Sequence, residues 1–348
     1  MKVLVTGHDG YIGVRLVPIF QAAGHEVIGL DSGLFSDTGF GPAPTPIEAI
    51  RADVRDVTPA MFEGVDAVVH LAGLSNDPLG DLNPTLTYDI NHKGTTTVAE
   101  AAKAAGVSRF LFSSSCSLYG RHGDEMLTES ASFNPVTPYG ESKVLAEADL
   151  HAMADDTFSP TYLRNATAYG LSSRLRGDLV VNNLTAYAFA TGEVLMKSDG
   201  TPWRPLVHID DISRAFLAVL EAPRDLVHDE PFNVTDTAEN YQVRDVAAIV
   251  EDVVAGSRIA FGEGAGPDPR NYRVSGDKLM ETLGFEFQWT VRKGVEELAA
   301  AYAAESLTKA TLESSELMRI QHVRELLDSG ALDADLRWTA DGRAAEVA

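Results

Sequence analysis

The first thirteen residues constrain the fold most. An apolar run from Lys2 to Thr6 leads directly into the sequence Gly7-His-Asp-Gly10-Tyr-Ile-Gly13, and the residues from Ile12 to Ala23 then have helical spacing. Glycines at this spacing permit a tight strand-to-helix turn, and they let a ligand approach the backbone N–H groups at the beginning of the helix. A strand, a glycine-rich turn and a helix in this order predict an α/β protein.

The remainder of the first third of the chain repeats this alternation. Short apolar runs that are typical of strands are separated by segments with helical periodicity. We expect strands over Lys2–Thr6, Val27–Leu30, Ile47–Ala52, Ala67–Ala72 and Arg109–Ser115, and helices over Ile12–Ala23 and Thr85–Ala105. Alternating βα units imply a parallel sheet with helices on both faces. The predicted fold class is α/β, with a Rossmann-type doubly wound parallel sheet and a smaller C-terminal substrate-binding region.

Beyond Gly170 the order of the elements is less regular. We expect helices over Leu179–Thr191, Asp210–Leu220 and Val243–Val254, and short strands over Glu193–Lys197, Phe232–Val234 and Arg258–Phe261. We divide the chain into a nucleotide-binding domain (1–170, with further sheet elements from about 205–235), a mainly substrate-binding region (171–308) and a C-terminal helical extension (309–348). From Leu307 onward the pattern predicts an amphipathic helix with a polar tail, which we expect to serve packing or dimerisation and not chemistry.

The charge of the chain limits its partners. Its 28 Lys and Arg residues against 51 Asp and Glu residues give a net charge of −23. This field repels phosphate, so we expect no nucleic acid and no membrane as partner, and local groups must hold any phosphate ligand. The sequence contains no run of about 18 apolar residues, so we expect no membrane span. The single cysteine, Cys116, excludes an intrachain disulfide and is most simply a packed side chain. The amino terminus does not resemble a signal peptide. Both observations favour a cytoplasmic location.

The end of the second predicted strand indicates which dinucleotide binds. Asp31 lies 18 residues after Gly13. A carboxylate at this place accepts hydrogen bonds from both ribose hydroxyls and repels a 2′-phosphate, so NAD is favoured over NADP. The alternative is that Asp31 is an ordinary turn residue. Asp53 and Val54 close the third strand, where a side chain can reach the adenine.

A tyrosine and a lysine at helical spacing are the candidate catalytic groups. Tyr139 and Lys143 lie one turn apart at the beginning of a predicted helix. An ammonium group beside a phenol favours the phenolate and lowers the phenol pKa from its ordinary value near 10. The same spacing also arises by chance on ordinary helices. What strengthens the hypothesis is Ser115, 24 residues before Tyr139 at the end of the fifth strand, because ligands bind at this edge of parallel sheets.

Together these segments resemble the extended short-chain dehydrogenase/reductases of the NAD-dependent epimerase/dehydratase family, and most closely the UDP-galactose 4-epimerase-like nucleotide-sugar enzymes. The resemblance spans roughly Met1 to Thr308. It is carried by Gly7, Gly10, Gly13, Asp31, Asp53-Val54, His70-Leu-Ala-Gly73, Asn91, the Ser115 segment, Tyr139, Lys143 and the segment Arg164 to Gly170.

The resemblance implies roles for these residues. Ser115 would hydrogen-bond the reacting sugar hydroxyl, Tyr139 would be the general base, and Lys143 would hold the nicotinamide ribose and tune Tyr139. The implied NAD-binding residues are Gly7, Gly10, Tyr11, Ile12, Gly13, Asp31, Asp53, Val54, Leu71, Ala72, Gly73, Asn91, Tyr139 and Lys143. The implied substrate-binding residues are Ser117, Asn165, Thr167, Asn183, Arg204 and Arg270, with Tyr272 beside the nucleotide. Arginine suits this task because its planar fork binds phosphate oxygens bidentately. No metal site is expected.

The sequence also departs from the family pattern. Dehydratases carry an Asp-Glu pair after the position of Ser115, where this chain has Cys116 and Ser117, so a 4,6-dehydratase is not expected. Thr167-Ala168 replaces an Asn-Pro pair of the 4-epimerases, Ser75 replaces a lysine near the cofactor phosphates, and Leu206 replaces a tyrosine. These changes leave the redox centre intact and the identity of the sugar open. The run from Leu74 to Leu79 is either a sugar contact or a plain loop.

We therefore predict an NAD-dependent epimerase that acts on a nucleotide-diphosphate sugar, at C4, through transient hydride transfer to bound NAD. Two alternatives stay open: a reductase of 4-keto sugars that uses exchangeable NADH with the same residues, and a non-catalytic NAD-binding protein on the same fold. The family also implies a homodimer.

Overall fold

The computed structural model describes residues 1–75, 83–266 and 270–342. Its main element is a seven-stranded sheet in the order β11-β7-β5-β4-β1-β2-β3, in which every pair is parallel. The described strands are β1 (Lys2–Thr6), β2 (Glu26–Asp31), β3 (Ala49–Arg51), β4 (Ala67–His70), β5 (Arg109–Ser115), β6 (Arg121–Leu127), β7 (Ser159–Asn165), β8 (Thr167–Tyr169), β9 (Glu193–Ser198), β10 (Trp203–His208), β11 (Glu230–Val234), β12 (Asn240–Gln242), β13 (Arg258–Gly266) and β14 (Asn271–Val274).

Helices cover both faces of this sheet. The described α-helices are α1 (Gly13–Ala22), α2 (Pro84–Thr87), α3 (Gly94–Ala104), α4 (Pro138–Met153), α5 (Val180–Thr191), α6 (Ile209–Glu221), α7 (Arg224–Val227), α8 (Val243–Val253), α9 (Asp277–Leu283), α10 (Val291–Ala304), α11 (Lys309–Leu312) and α12 (Arg319–Asp328). None of the helices in the described part of the chain is long and apolar enough to cross a membrane.

The apolar run in β1 explains the two-sided packing. Val3 and Val5 lie in one hydrophobic cluster, whereas Leu4 between them lies in another. Because successive side chains of a strand point to opposite faces, each face of the sheet has its own core. A nearly continuous apolar strand is typical of a parallel sheet that is covered on both sides. The predicted α/β fold class is confirmed.

The topology places a crevice at one edge of the sheet. β1 pairs with β2 on one side and with β4 on the other, so the chain builds the sheet outward in both directions from this point. In open α/β sheets, ligands bind at such a switch point, outside the carboxyl ends of the strands. The glycine-rich turn follows β1 and therefore lies at this crevice.

Several predicted elements differ from the structure at their ends. β4 ends at His70 and not at Ala72, and β3 is limited to Ala49–Arg51. The predicted helix Thr85–Ala105 is helical from Pro84 to Ala104, but its middle, Tyr88–Lys93, is a π-helix. A π-helical turn inside an α-helix often marks a functional place.

The second half of the chain contains more strands than the sequence predicts. β8, β10 and β12 form a three-stranded sheet, β9 pairs with β13, and β6 pairs with β14. β11 leaves this part and completes the central sheet beside β7. The division into 1–170, 171–308 and 309–348 stays a prediction.

The C-terminal extension is not one helix. It consists of α11 and α12, followed by an irregular segment with an isolated β-bridge between Leu332 and Trp338. The end of the predicted polar tail, 343–348, lies outside the described residues. The extension packs against Leu74 and the loop after β2, through Leu34 and Phe35.

Candidate active site

A cavity of about 930 Å³ opens at the carboxyl edge of the central sheet. It is lined by residues of the glycine-rich turn, of the ends of β2, β4 and β5, of α4, and of the smaller region. The predicted site residues that line it are Gly7, Gly10, Tyr11, Ile12, Gly13, Asp31, Asp53, Val54, Leu71, Ala72, Gly73, Ser115, Ser117, Tyr139, Lys143, Asn165, Thr167, Asn183, Arg204 and Arg270. Of the run at the cavity mouth, Leu74 and Ser75 line it, and residues 76–79 lie outside the described residues.

The turn after β1 requires its glycines. Gly7 has a φ of +72°, and a Cβ there would lie 2.8 Å from the backbone nitrogen of Ala72. A Cβ on Gly13 would lie 2.3 Å from the carbonyl oxygen of Gly7. α1 begins at Gly13, and no side chain caps it. The beginning of this helix can therefore bind a phosphate through its N–H groups and its positive dipole end.

Asp31 lies at the end of β2, where its carboxylate lines the cavity. One carboxylate oxygen accepts from the N–H of Gly33 at 2.8 Å, and the other accepts from the N–H of Asp9 at 3.2 Å. Burial raises the pKa of the Asp31 carboxyl, and these hydrogen bonds act against the increase. β2 and β5 are separated by β1 and β4, so Asp31 and Ser115 are about 14 Å apart at three strand spacings. An extended dinucleotide spans such a distance.

The side chain of Asp53 forms an ion pair with Arg55. Its carboxylate accepts from Nε of Arg55 at 2.9 Å and from Nη2 at 2.5 Å. Burial would raise the pKa of Asp53, but Arg55 lowers it overall. Asp53 therefore shapes the turn that presents Val54 to the cavity.

Asn91, a predicted cofactor-binding residue, is not among the residues that line the cavity. It is buried in the π-helical turn, where its Oδ1 accepts from the N–H of Leu74 at 2.7 Å and its Nδ2 donates to the carbonyl oxygen of Leu74 at 2.9 Å. Both polar groups are thus engaged by the protein. Asn91 therefore fixes the chain that follows Gly73, and its contact with the cofactor stays a prediction.

The Tyr-Lys pair lies in the first two turns of α4. Thr137 caps this helix by accepting from the N–H of Gly140 at 3.2 Å, and Pro138 follows as its first residue. Lys143 is 5% exposed, its Nζ donates to the carbonyl oxygen of Ser113 at 2.8 Å, and its Nζ lies 5.7 Å from the ring centroid of Tyr139. Burial lowers the pKa of Lys143 to about 8, so its ammonium group persists at neutral pH.

Ser115 belongs to a small group of hydroxyls. Its Oγ donates to Oγ of Ser117 at 2.9 Å and accepts from the N–H of Ser117 at 3.1 Å, and the side chain of Tyr272 hydrogen-bonds Ser117. Cys116, between them, is buried, and its Sγ donates to the carbonyl oxygen of Arg164 at 3.1 Å. Burial raises the pKa of this thiol, so Cys116 is a packed side chain and not a reactive group.

A buried ion pair below the site was missed by the sequence analysis. Arg164 on β7 donates to Glu147 on α4, with an Nη2–Oε2 distance of 2.7 Å, and Ser114 Oγ donates to the same carboxylate at 2.5 Å. This network ties β5 and β7 to α4, and it therefore sets the position of Ser115 against Lys143. The position of Glu147, one turn after Lys143, was the signal that could have revealed it.

The predicted substrate residues come from several elements of the smaller region. Nη1 of Arg204, on β10, donates to the carbonyl oxygen of Arg270 at 2.5 Å, so the two arginines are adjacent. Asn183 donates to the carbonyl oxygen of Gly177 at 2.6 Å. Thr167 begins β8 at the cavity wall.

Asn165 lines the cavity and has one acceptor without a partner among the described residues. Its Nδ2 donates to Oγ of Ser113 at 3.0 Å, whereas its Oδ1 is buried without a partner among the described residues. A buried carbonyl oxygen without a donor costs about 1–3 kcal/mol.

The charged wall residues that were not predicted include Arg176 and Asp178. Arg176, in the loop after β8, pairs with Asp178 at 2.8 Å, and its Nη1 donates to Oγ of Ser75 at 3.0 Å. Arg176 thus lies beside Ser75, the position at which the family pattern has a lysine. The described residues contain no cluster of three or more His, Cys, Asp or Glu side chains that could hold a metal ion.

The glycine-rich turn, the Asp31 carboxylate at the end of β2 and the Tyr139–Lys143 pair line one cavity, an arrangement that fits a nicotinamide-dinucleotide enzyme. The model of the NAD dependent epimerase/dehydratase family matches residues 3–235. The chain belongs to this family, whose cofactor is NAD, and it is an enzyme of the extended short-chain dehydrogenase/reductase type.

Curated relatives cover most of the chain. The UDP-glucose 4-epimerase of Lactobacillus helveticus is 30% identical over 309 residues, covering 82% of this chain and 92% of that protein. The UDP-glucose 4-epimerase of Bacillus subtilis is 28% identical over 329 residues, covering 86% of this chain and 95% of that protein.

Solved structures agree on the fold. MoeE5 in complex with UDP-glucuronic acid and NAD is 25% identical with a TM-score of 0.77, covering 87% of this chain and 99% of that one. The NAD complex of Thermus thermophilus UDP-glucose 4-epimerase, at 23% identity, has a TM-score of 0.75 with the same coverage. TunA, an NDP-hexosamine 5,6-dehydratase, is 21% identical with a TM-score of 0.79, covering 88% of this chain and 99% of that one. The last two likenesses show the fold alone.

Proposed function

We propose that this protein is an NAD-dependent epimerase that inverts C4 of a nucleotide-diphosphate sugar. The observation that carries the proposal is the content of one cavity: Ser115, Tyr139 and Lys143 line it together with Asp31 and with the adjacent pair Arg204 and Arg270. Ser115, Tyr139 and Lys143 suit proton transfer to and from a sugar hydroxyl. The arginines suit a diphosphate, which this chain of net charge −23 must bind through local cations.

The proton chemistry follows from the geometry of α4 and β5. Tyr139, as phenolate, takes the proton of the C4 hydroxyl, which Ser115 orients by hydrogen bonding. When bound, NAD supplies a reversible acceptor for the hydride at C4. Lys143 keeps the phenolate stable, because its buried ammonium makes proton release from Tyr139 less costly.

Inversion also requires that the sugar turns while the nucleotide stays bound. The residues for the diphosphate, Asn183, Arg204 and Arg270, come from α5, β10 and the segment before β14, whereas Ser115 comes from β5. In the proposal the diphosphate is the pivot. The keto sugar then presents its other face, and Tyr139 returns the proton to the C4 oxygen.

The side chains after Ser115 favour epimerisation over dehydration. Elimination of water needs an extra acid and base beside the sugar. Here Cys116 is buried against Arg164, and Ser117 offers only a hydroxyl to the cavity. The dehydratase TunA shares the fold with this chain at 21% identity, and this likeness carries no argument about the reaction.

The test begins with purified protein and no added cofactor. Because three relatives at 28–30% identity are UDP-glucose 4-epimerases, UDP-glucose and UDP-galactose are the first substrates to assay. We expect about one NAD per chain after denaturation and interconversion of the two sugars. Tyr139→Phe should retain NAD, but its turnover should fall at least about 100-fold. Tyr88→Phe, outside the cavity wall, should retain both NAD and turnover.

Other outcomes would replace the proposal. A site that is empty on purification, with turnover only after NADH and a 4-keto sugar are added, would establish the reductase. Bound NAD without turnover on any UDP-, dTDP- or GDP-sugar would indicate a non-catalytic protein.

The homodimer also belongs to the proposal. Helix α4 carries Leu145, which is 37% exposed, on its outer face. The resemblance implies a dimer that pairs through helices of the cofactor domain, so α4 is the helix on which we test it. Sedimentation of the purified chain should give twice the mass of 37.4 kDa, and Leu145→Glu should give the monomer.

A further inference from the structure

The C-terminal segment Arg319–Trp338, here called the strap, lies beyond the family match that ends at residue 235. It contacts the loop after β2. Nε2 of His322 hydrogen-bonds the carbonyl oxygen of Leu34 at 2.8 Å, and Nε1 of Trp338 donates to the carbonyl oxygen of Ser32 at 2.8 Å. This loop directly follows Asp31, which is the ribose-binding residue.

The strap also contacts the turn after β3. Nη1 of Arg55 donates to the carbonyl oxygen of Asp335 at 2.8 Å, and Arg337 pairs with Asp56. Between these anchors, Leu336 lines the cavity. The strap therefore bridges the two walls between which the adenosine of a dinucleotide would lie.

Arg319 is the charged residue that the strap contributes to the cavity wall. It is 4% exposed, and its guanidinium carbon lies 3.7 Å from the ring centroid of Phe35. Nη2 donates to the carbonyl oxygen of Arg174 at 3.4 Å, but the buried Nη1 has no hydrogen-bond partner among the described residues.

This environment is costly for a cation unless an anion joins it. Burial, and then the like charge of Arg176, lower the pKa of Arg319 to about 9. An unpaired, buried donor of a charged group destabilises the folded chain. Arg319 also interacts electrostatically with Asp31 and with Arg174, which binds the side chain of Asp9 in the glycine-rich turn. Its position is therefore close to the turn that binds phosphate.

We propose that the strap is part of the cofactor site: it encloses the adenosine half of NAD, and Arg319 donates through Nη1 to a phosphate oxygen of the pyrophosphate. The proposal rests on NAD binding and not on the epimerase reaction. Since the strap is anchored on both walls, NAD can leave only when the strap detaches. Exchange of the cofactor is then slow, as a reaction that returns the hydride to the same sugar requires.

The charge on Arg319 is tested with ligands that contain or lack phosphate. We would bind ADP and adenosine to cofactor-stripped wild type, to Arg319→Met and to Arg324→Met, an exposed arginine of the same helix. ADP should bind at least about tenfold more weakly to Arg319→Met, because a charge-assisted hydrogen bond is lost. Adenosine affinity should be unchanged, and Arg324→Met should resemble wild type.

Thermal unfolding of the same stripped proteins separates binding from packing. If Arg319 serves the cofactor, its removal leaves the melting temperature equal or higher, because an unpaired charge disappears. A lower melting temperature, with ADP and adenosine weakened alike, would mean that Arg319 only packs on Phe35. Unchanged ADP affinity would also overturn the assignment.

Enclosure is tested by exchange. Protein that carries NAD would be mixed with an excess of isotope-labelled NAD, and incorporation would be followed over time. Trp338→Ala, which removes the hydrogen bond to Ser32, should exchange at least about tenfold faster than wild type. Equal rates would refute enclosure by the strap. None of these measurements uses a sugar, so they remain decisive if the proposed reaction is wrong.

Discussion

Replacement of Lys143 by methionine should separate stability from catalysis. The pKa of this lysine falls from 10.5 to about 8 on folding, because burial disfavours its charge. Each pKa unit corresponds to about 1.4 kcal/mol, so the charged lysine costs the cofactor-free protein roughly 3 kcal/mol at pH 7. Methionine fills a similar volume without this cost, although it leaves the carbonyl oxygen of Ser113 without its donor.

The pH dependence has a definite sign. Between pH 8 and 10.5 the unfolded chain binds the lysine proton more tightly than the folded chain, so the stability of the wild type rises with pH. The variant lacks this group. Its free energy of unfolding relative to wild type should therefore decrease by about 2 kcal/mol between pH 7 and pH 9.5, because deprotonation of Lys143 stabilises the wild type by that amount over this range.

Urea denaturation of cofactor-free wild type and Lys143→Met at pH 7.0 and 9.5 measures this difference. Lys293→Met, at an exposed lysine, is the matched control and should show the same pH dependence as wild type. Turnover of Lys143→Met should be lower by at least about 100-fold. A constant stability difference between the two pH values would refute the buried-ammonium reasoning.

Three further changes test other parts of the site. Asp31→Asn should weaken NAD binding at least about tenfold and reduce the preference for NAD over NADP, measured by titration of stripped protein; an unchanged preference would remove Asp31 from the ribose site. Arg164→Met should lower the free energy of unfolding by about 3–5 kcal/mol in urea, because Glu147 stays buried and unpaired; a loss under 1 kcal/mol would contradict this. Cys116 should not react with a disulfide reagent at pH 8 in native protein but should react fully in urea, and rapid native labelling would contradict its burial.

The sequence predicts six of the seven strands of the central sheet, all but β7, because the signals of these strands are local. The run Lys2–Thr6 with its glycine turn needs only thirteen neighbouring residues to be recognised, and the helices α5, α6 and α8 agree with prediction to within a residue or two at each end. Of the small sheets, β9 and β13 were predicted as strands, whereas β6, β8, β10, β12 and β14 were not. The pairing of these strands was not predicted, because it joins residues that are far apart in the sequence. Asn271 of β14, for example, pairs with Arg121 of β6.

Positioning roles and the strap were harder to predict for the same reason. The sequence predicts Asn91 near the cofactor but cannot show that its side-chain amide hydrogen-bonds the backbone of Leu74, 17 residues away. The contact of His322 with Leu34 spans 288 residues, and no periodicity encodes it. The extension, expected to serve packing or dimerisation, packs on Leu34, Phe35 and Leu74 at the cavity, a place that its own sequence does not indicate.

The most direct measurement is the fate of the hydrogen on C4. Purified protein without added cofactor would be incubated with UDP-glucose that carries deuterium at C4, and the product would be examined by mass spectrometry and NMR. Transient hydride transfer to bound NAD with Tyr139 as base predicts UDP-galactose with the deuterium still on C4. Loss of the deuterium to solvent, or no inversion until NADH is supplied, would contradict it.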